Sequence, residues 1–301
     1  MTRSAIDPRQ LATLLDVIRC GSFSAAAKAR GVSQPAVSLA MSLLERQAGQ
    51  RLLIRSPRGI EPTRAGRILV RRAEAVEHQL ELASAEIGLD AHGIAGPLRI
   101  AGTPGALISV VPATLALLST THPCVSISVQ EASDGDLLSL LRLGSVDLTI
   151  GTLGFESLQD DVLEIELLED SFGLIVPANH SLQGDSVDLQ DVLQEPWVLP
   201  NHLGAFRRQV DAIFITHKLS TPTRLIRCDS LATTRELVLQ ARHVTLLPRR
   251  VVAAELAAGT LRIIALRTPI YRKLGFRLLA ANFAAPLLGS FVDAAKATVT
   301  A

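Results

Sequence analysis

The sequence predicts an α+β multidomain chain, with a winged helix-turn-helix over 1–62, a long linker helix over 63–92 and a two-lobed α/β domain over 93–301. Three observations carry this reading. Residues 1–72 hold 13 Lys+Arg against 4 Asp+Glu, a net +9, whereas the whole chain balances to +1. Apolar residues keep helical spacing up to about residue 90, interrupted by glycines at short intervals. Beyond Gly96-Pro97 the pattern changes to short β-type runs alternating with helical ones. At 301 residues, 48% apolar and 20% charged, the chain has material for two or three packed domains.

In the basic module, Leu11, Leu14, Leu15 and Ile18 recur at i, i+3, i+4 and i+7, predicting an amphipathic helix closed by Gly21. Ser22 and Ser24 offer hydroxyls at the start of a short helix that carries Lys28 and Arg30. Gly31 then makes the turn. Ser33 is a good N-cap for the next helix, and Pro35 sits in its first turn, where a missing N–H matters little. Two helices about a glycine turn form a helix-turn-helix. Ala27 lets the two approach and Val37 faces between them, which leaves Gln34, Ser38 and Ser42 on one outward face. Gln bonds adenine bidentately and Ser bonds bases or phosphates, so this face suits the major groove of duplex DNA. Two extended stretches around Pro57-Arg58-Gly59 predict a hairpin wing that brings Arg55 and Arg58 to phosphates. The excess positive charge fits a polyanionic partner, and an aromatic content of only 3% argues against stacking on single strands.

Between Gly66 and Gly88 there is no Gly or Pro. Leu69, Ala73, Val76, Leu80, Ala83 and Ile87 follow at spacings of 4, 3, 4, 3 and 4, a heptad seam. The helix of a second copy is the simplest cover for it, and packing onto its own domain is the alternative. A dimer reads two half-sites, so an inverted-repeat operator is expected.

In the acidic remainder, strands at 98–101, 125–129 and 146–150 alternate with helices at 106–118 and 136–143. A second set follows, with strands at 172–176, 197–199, 224–228 and 245–247 and helices at 206–217, 230–240 and 250–258. This predicts βαβ units, parallel sheets and two similar lobes with a cleft between them. Ligands of such sheets bind beyond the carboxyl ends of the strands. That rule selects Thr103, Pro104, Asp134, Thr152, Asn201 and His202. Thr103 stands just before a helix opening at Pro104, a site suited to a carboxylate or sulfate.

The run from Phe23 to Ser38, above all Ser33-Gln34-Pro35-Ala36-Val37-Ser38, resembles the LysR-type transcriptional regulators. Leu44-Glu45 and Arg51-Leu52-Leu53-Ile54-Arg55 continue the match. Thr63-Arg64-Ala65-Gly66 is similar to the family's Thr-x-x-Gly entry to its linker helix. Gly96-Pro97-Leu98-Arg99-Ile100 and Leu246-Leu247-Pro248 extend the likeness to nearly the full length. The resemblance implies a periplasmic-binding-protein-like effector domain, with lobe I about 96–169 and 268–301 and lobe II about 170–267. It also implies small-molecule control of DNA binding, effector contacts at the loops named above, and dimers that pair into tetramers. Two departures stand out. The second half of the recognition helix, Leu39-Ala40-Met41-Ser42-Leu43, carries no charge, so phosphate anchoring falls to Lys28, Arg30, Arg55 and Arg58. Where members have a Gly-rich stretch, this chain has Gln240-Ala241-Arg242-His243-Val244. Arg242 and His243 narrow the site, bind an anionic effector or simply stand solvated on a loop, and a small organic anion is the effector expected.

No nucleophile elbow, HExxH or Walker motif occurs, and neither the seven histidines nor the three cysteines have metal-ligand spacing. No catalytic residue, cofactor or metal is expected. Sparse cysteine fits a reducing cytoplasm. Ser109, Pro112 and Thr114 interrupt the most apolar stretch, which argues against a membrane span, and residues 1–10 lack the apolar core of a secretory signal.

Overall fold

The structure, a computed structural model, describes residues 6–56, 59–90, 94–154, 160–201, 204–280 and 286–300. The chain divides into two compact units, Met1–Gly88 and Leu89–Ala301.

The first unit opens with α1 (Pro8–Cys20), α2 (Phe23–Arg30) and α3 (Gln34–Ala48). Each begins at a side-chain cap. The Asp7 carboxylate accepts from the Arg9 N–H, the Ser22 hydroxyl from Ala25 and the Ser33 hydroxyl from Ala36. Gly31 takes φ 66° between α2 and α3, a conformation that would strain any residue with a Cβ. Leu14, Leu15, Ala26, Ala27, Val37, Met41 and Leu44 close the core beneath the three helices. Strands β1 (Leu53–Ser56) and β2 (Gly59–Pro62) form the antiparallel wing, with Leu53 opposite Pro62. The Glu45 carboxylate accepts from the Leu52 and Leu53 N–H groups at 2.7 and 3.2 Å, tying α3 to the wing.

Helix α4 (Arg64–Asp90) has 27 residues and is about 40 Å long at 1.5 Å per residue. Its start explains the Thr-x-x-Gly motif. The Thr63 hydroxyl donates to the Arg51 carbonyl and accepts from the Gly66 N–H at 3.0 Å. A Cβ on Gly66 would stand 2.0 Å from the Leu52 carbonyl oxygen, so only glycine fits where the helix meets the wing. Arg19 of α1 grips Glu77 of α4 through two hydrogen bonds, at 3.0 and 2.5 Å. The bond to Arg19 holds the Glu77 carboxyl below its usual range.

In the second unit, β3 (Ala95–Gly102), β4 (Val125–Glu131) and β5 (Leu148–Thr152) are parallel, with β3 in the middle. Helices α5 (Pro104–Thr121) and α6 (Asp134–Arg142) connect them. Strand β6 (Val162–Pro177) runs through both lobes. Up to Ser171 it pairs with β12 (Tyr271–Leu279), and from Phe172 with β10 (Thr245–Pro248) and β11 (Leu261–Leu266). The second lobe adds the two-residue β7 (Ser186–Val187) and a parallel pair, β8 (Trp197–Leu199) and β9 (Leu225–Arg227). Its helices are α7 (Ala205–Thr216), α8 (Leu231–Ala241) and the short α9 (Ala253–Ala257), which follows a 3-10 turn. Helix α10 (Pro286–Thr300) packs beside α5.

One expectation is corrected here: the sheets are mixed rather than parallel, because β12 returns antiparallel to both β5 and β6. Ser109, Pro112 and Thr114 lie within the expected helix, and they do not take α5 below the apolarity of a membrane span as the sequence suggested. The Ser109 and Thr114 hydroxyls bond back to the Gly105 and Val110 carbonyls at 2.6 and 2.8 Å, which satisfies them inside the helix. By length and apolarity alone, α5 could therefore cross a membrane. In this fold Ala106, Val110, Val111 and Leu118 instead join Ile100, Ile150, Phe276 and Phe291 in the core of the first lobe. Each large side chain so buried contributes roughly 1.5–3 kcal/mol. The second lobe closes around Trp197, with Phe214 edge-on at 5.6 Å between ring centroids and Leu174, Val176 and Leu246 nearby.

Candidate functional sites

On α3 the inner face, Val37, Met41 and Leu44, is fully spent on the core. Gln34, Pro35 and Ser42 are therefore exposed, and Ser38 is half-buried. Gln34 Nε2 donates to Ser38 Oγ at 3.2 Å, which orients the amide along the helix. Ser24 and Lys28 are exposed on α2. The hydroxyls of Ser22 and Ser33 each accept a backbone N–H group, which leaves the proton and one lone pair to offer. Arg30 is exposed, and one nitrogen of its guanidinium pairs with Asp16 of α1. The backbone of Arg55 pairs with Ile60 in the wing. Its side chain, Pro57 and Arg58 lie outside the described residues. Sequence reasoning passed over Leu39, which stands 59% exposed on the same helix. Its apolar character disguised it as a core position.

The seam on α4 divides. Ala73 is 1% exposed in the core of its own unit and so is not open to a second copy, and Leu69 is half-buried against the same core. Val76, Leu80, Ala83 and Ile87 are exposed, Leu80 at 64% and Ile87 at 73%. The heptad spacing could not separate the two parts, since one stripe serves both.

Between the lobes of the second unit lies a cavity of about 420 Å³, within the usual range for small-molecule sites. Thr103, Pro104, Asp134 and Thr152 line it together with Phe206, Asp229 and Arg272. Asp134 reaches across, its Oδ2 accepting the Ala205 N–H at the start of α7 at 3.0 Å. Asn201 is not among the lining residues; its N–H donates to Asp229 at 2.8 Å. His202 lies outside the described residues. Of the readings open for Arg242 and His243, the solvated loop fits: Arg242 is exposed, and neither residue lines the cavity. Arg242 closes α8 in the left-handed conformation (φ 53°), and His243 Nδ1 lies 3.1 Å from the Ala241 carbonyl. A left-handed helix end is where glycine is usually found, so the arginine there carries backbone strain.

The residue that sequence reasoning missed is Arg272. Its partner across the β6–β12 ladder is Asp170, and Nη2 donates to Oδ2 at 3.2 Å; both side chains are 3% exposed. Burial lowers the Arg272 pKa, and Asp170 opposes that shift. The signal was an arginine on an inward position of a strand, and it was hidden because β12 itself was not predicted. Among the described residues no group of His, Cys, Asp and Glu could hold a metal.

Residues 8–67 match the family described as bacterial regulatory helix-turn-helix protein, lysR family, and residues 91–300 match the LysR substrate binding domain. The HTH-type transcriptional regulator GalR of Pseudomonas putida is 26% identical over 261 residues, covering 87% of this chain and 66% of its own length. The nitrogen assimilation regulatory protein nac of Klebsiella aerogenes is 29% identical over 243 residues, 80% of this chain and 77% of its own. In fold, full-length CbnR complexed with its target DNA is similar at TM-score 0.71 and 20% identity, covering 97% of this chain and 100% of that one. A full-length OxyR from Pseudomonas aeruginosa is similar at TM-score 0.64 and 22% identity, over 97% and 95%. A DNA-reading helix-turn-helix and a substrate-binding cleft on one chain, each matched by its own profile, place it in the LysR family of bacterial transcriptional regulators, which are DNA-binding proteins and not enzymes.

Proposed function

We propose that the chain works as a cytoplasmic homodimer or homotetramer that reads an inverted-repeat operator and answers to a small organic anion bound in the interlobe cleft. The carrying observation is the outward polar face of α3, which Val37, Met41 and Leu44 fix from behind. Gln34, Ser38 and Ser42 read base edges, and Leu39 is placed to meet a thymine methyl. Ser22, Ser24, Ser33, Lys28 and Arg55 hold the backbone. The exposed half of the α4 stripe, Val76 to Ile87, is the contact between copies. In the cleft, Thr103 and the positive end of the α5 dipole favour a negatively charged group on the effector. A relative in fold bound to its target DNA supports the first part of this reading. The test is fluorescence anisotropy on duplexes selected from a random pool, across a salt series. Arg55→Ala should weaken binding to every sequence and lower the salt slope by about 1, whereas Gln34→Ala should relax preference at one base position. Selection that yields no enriched inverted repeat overturns the proposal.

A further inference from the structure

Four helices begin at the cleft: α5 at Pro104, α6 at Asp134, α7 at Ala205 and α8 at Leu231. Three already carry an oxygen of this chain. Asp134 lies in the first turn of α6, the same carboxylate takes the Ala205 N–H of α7, and the Ser230 hydroxyl takes the Thr233 N–H of α8 at 3.2 Å. Helix α5 differs, because its N-cap Thr103 makes no side-chain cap bond and its first turn, unlike that of α6, holds no acidic residue. Beside its first turn lies Arg272, whose Nη1 would be 3.6 Å from a Cβ on Gly105. The guanidinium spends Nη2 on Asp170 and, at 3.4 Å, on Ser109 Oγ. Its Nε is buried without an acceptor. A buried charged donor left unmatched is unfavourable, and native proteins rarely keep one without a use.

We propose that Arg272 reads a carboxylate on the effector: the acid seats against the first turn of α5 and takes the unused donors of the guanidinium, while Nη2 stays on Asp170. This rests on the cleft being the effector site. The remaining wall sets the rest of the ligand. Phe206, Val198 and Leu247 offer an apolar surface; Arg207, the other cation of the lining, is paired with Asp211, and Glu131, Asp134 and Asp229 repel a second negative charge. The ligand class is therefore a compact monoanionic acid with an uncharged or cationic far end. Arg272 and Asp170 sit where β6 and β12 leave one lobe for the other, so occupancy is felt at that crossing.

The experiment is calorimetry on the full chain with straight-chain monocarboxylates of two to eight carbons, the matching primary amides and the matching dicarboxylates. At least one monocarboxylate should bind tenfold or more tighter than its amide and its dicarboxylate. Arg272→Met with Asp170→Asn, which removes both buried charges together, should weaken that binding at least thirtyfold. Arg272→Lys, which keeps a partner for Asp170 but lacks the second donor, should weaken it tenfold and decides the matter if the double variant does not fold. Leu231→Trp, which fills the cavity, should abolish binding. Binding lost in Leu231→Trp but undiminished in the Arg272 variants overturns Arg272 alone. Binding that survives all of them overturns the cleft as well. A chain that takes no monocarboxylate in preference to its amide overturns the proposal outright.

Discussion

Arg242 holds a left-handed backbone conformation at the end of α8, with its N–H bonded to the Leu237 carbonyl. A side chain pays roughly 1–2 kcal/mol for this geometry, and glycine escapes most of that at the expense of a freer unfolded chain. Arg242→Gly should therefore raise stability by about 0.5–1 kcal/mol, read as a higher Tm, and leave ligand binding in the cleft unchanged. A lower Tm would mean that the guanidinium makes a compensating contact. At this scale the sequence was legible wherever a residue type answers a local backbone need. Ser22, Ser33 and Gly31 each stand where capping and turn chemistry placed them. Arg272 was not legible, because its meaning depends on Asp170, 102 positions away.

Among the elements, the three N-terminal helices were readable because each has its own start and stop signal. The first ten residues of β6 were not. Glu164, Glu166 and Glu169 alternate with apolar residues there, a half-exposed strand that looks like a polar connection. Strands β11 and β12 and helix α10 went unread for a related reason, since they are fixed by pairing with distant strands and by packing on α5. Helix α4 is the instructive case. One periodic stripe covers the unit's own core near Leu69 and Ala73 and leaves Leu80 and Ile87 in the open. Substituting Leu80→Glu together with Ile87→Glu should place like charges along the proposed contact and shift the chain to monomer in sedimentation equilibrium. The fold of the first unit should survive, because neither residue reaches its core. A variant that keeps the wild-type mass would assign dimerisation to another surface.

For the whole molecule, the charge asymmetry along the chain already separated a polyanion-binding unit from one with another task, and both units carry sites that fit that division. If the cleft governs DNA binding, the coupling is reciprocal: operator DNA must change effector affinity by the same factor as effector changes operator affinity. Paired titrations, each ligand with and without the other saturating, should give equal ratios. Two independent affinities would sever the cleft from DNA control. One feature of the second unit limits how such a signal can look. Strand β6 is shared by the sheets of both lobes, yet β12 pairs with it only up to Ser171 and β10 and β11 only from Phe172. One ladder therefore stops where the next begins, and the strand itself is the seam between the halves. A swing of one lobe about that seam leaves the rungs on either side in place, so an acid seated there would act by bending a single strand at its middle.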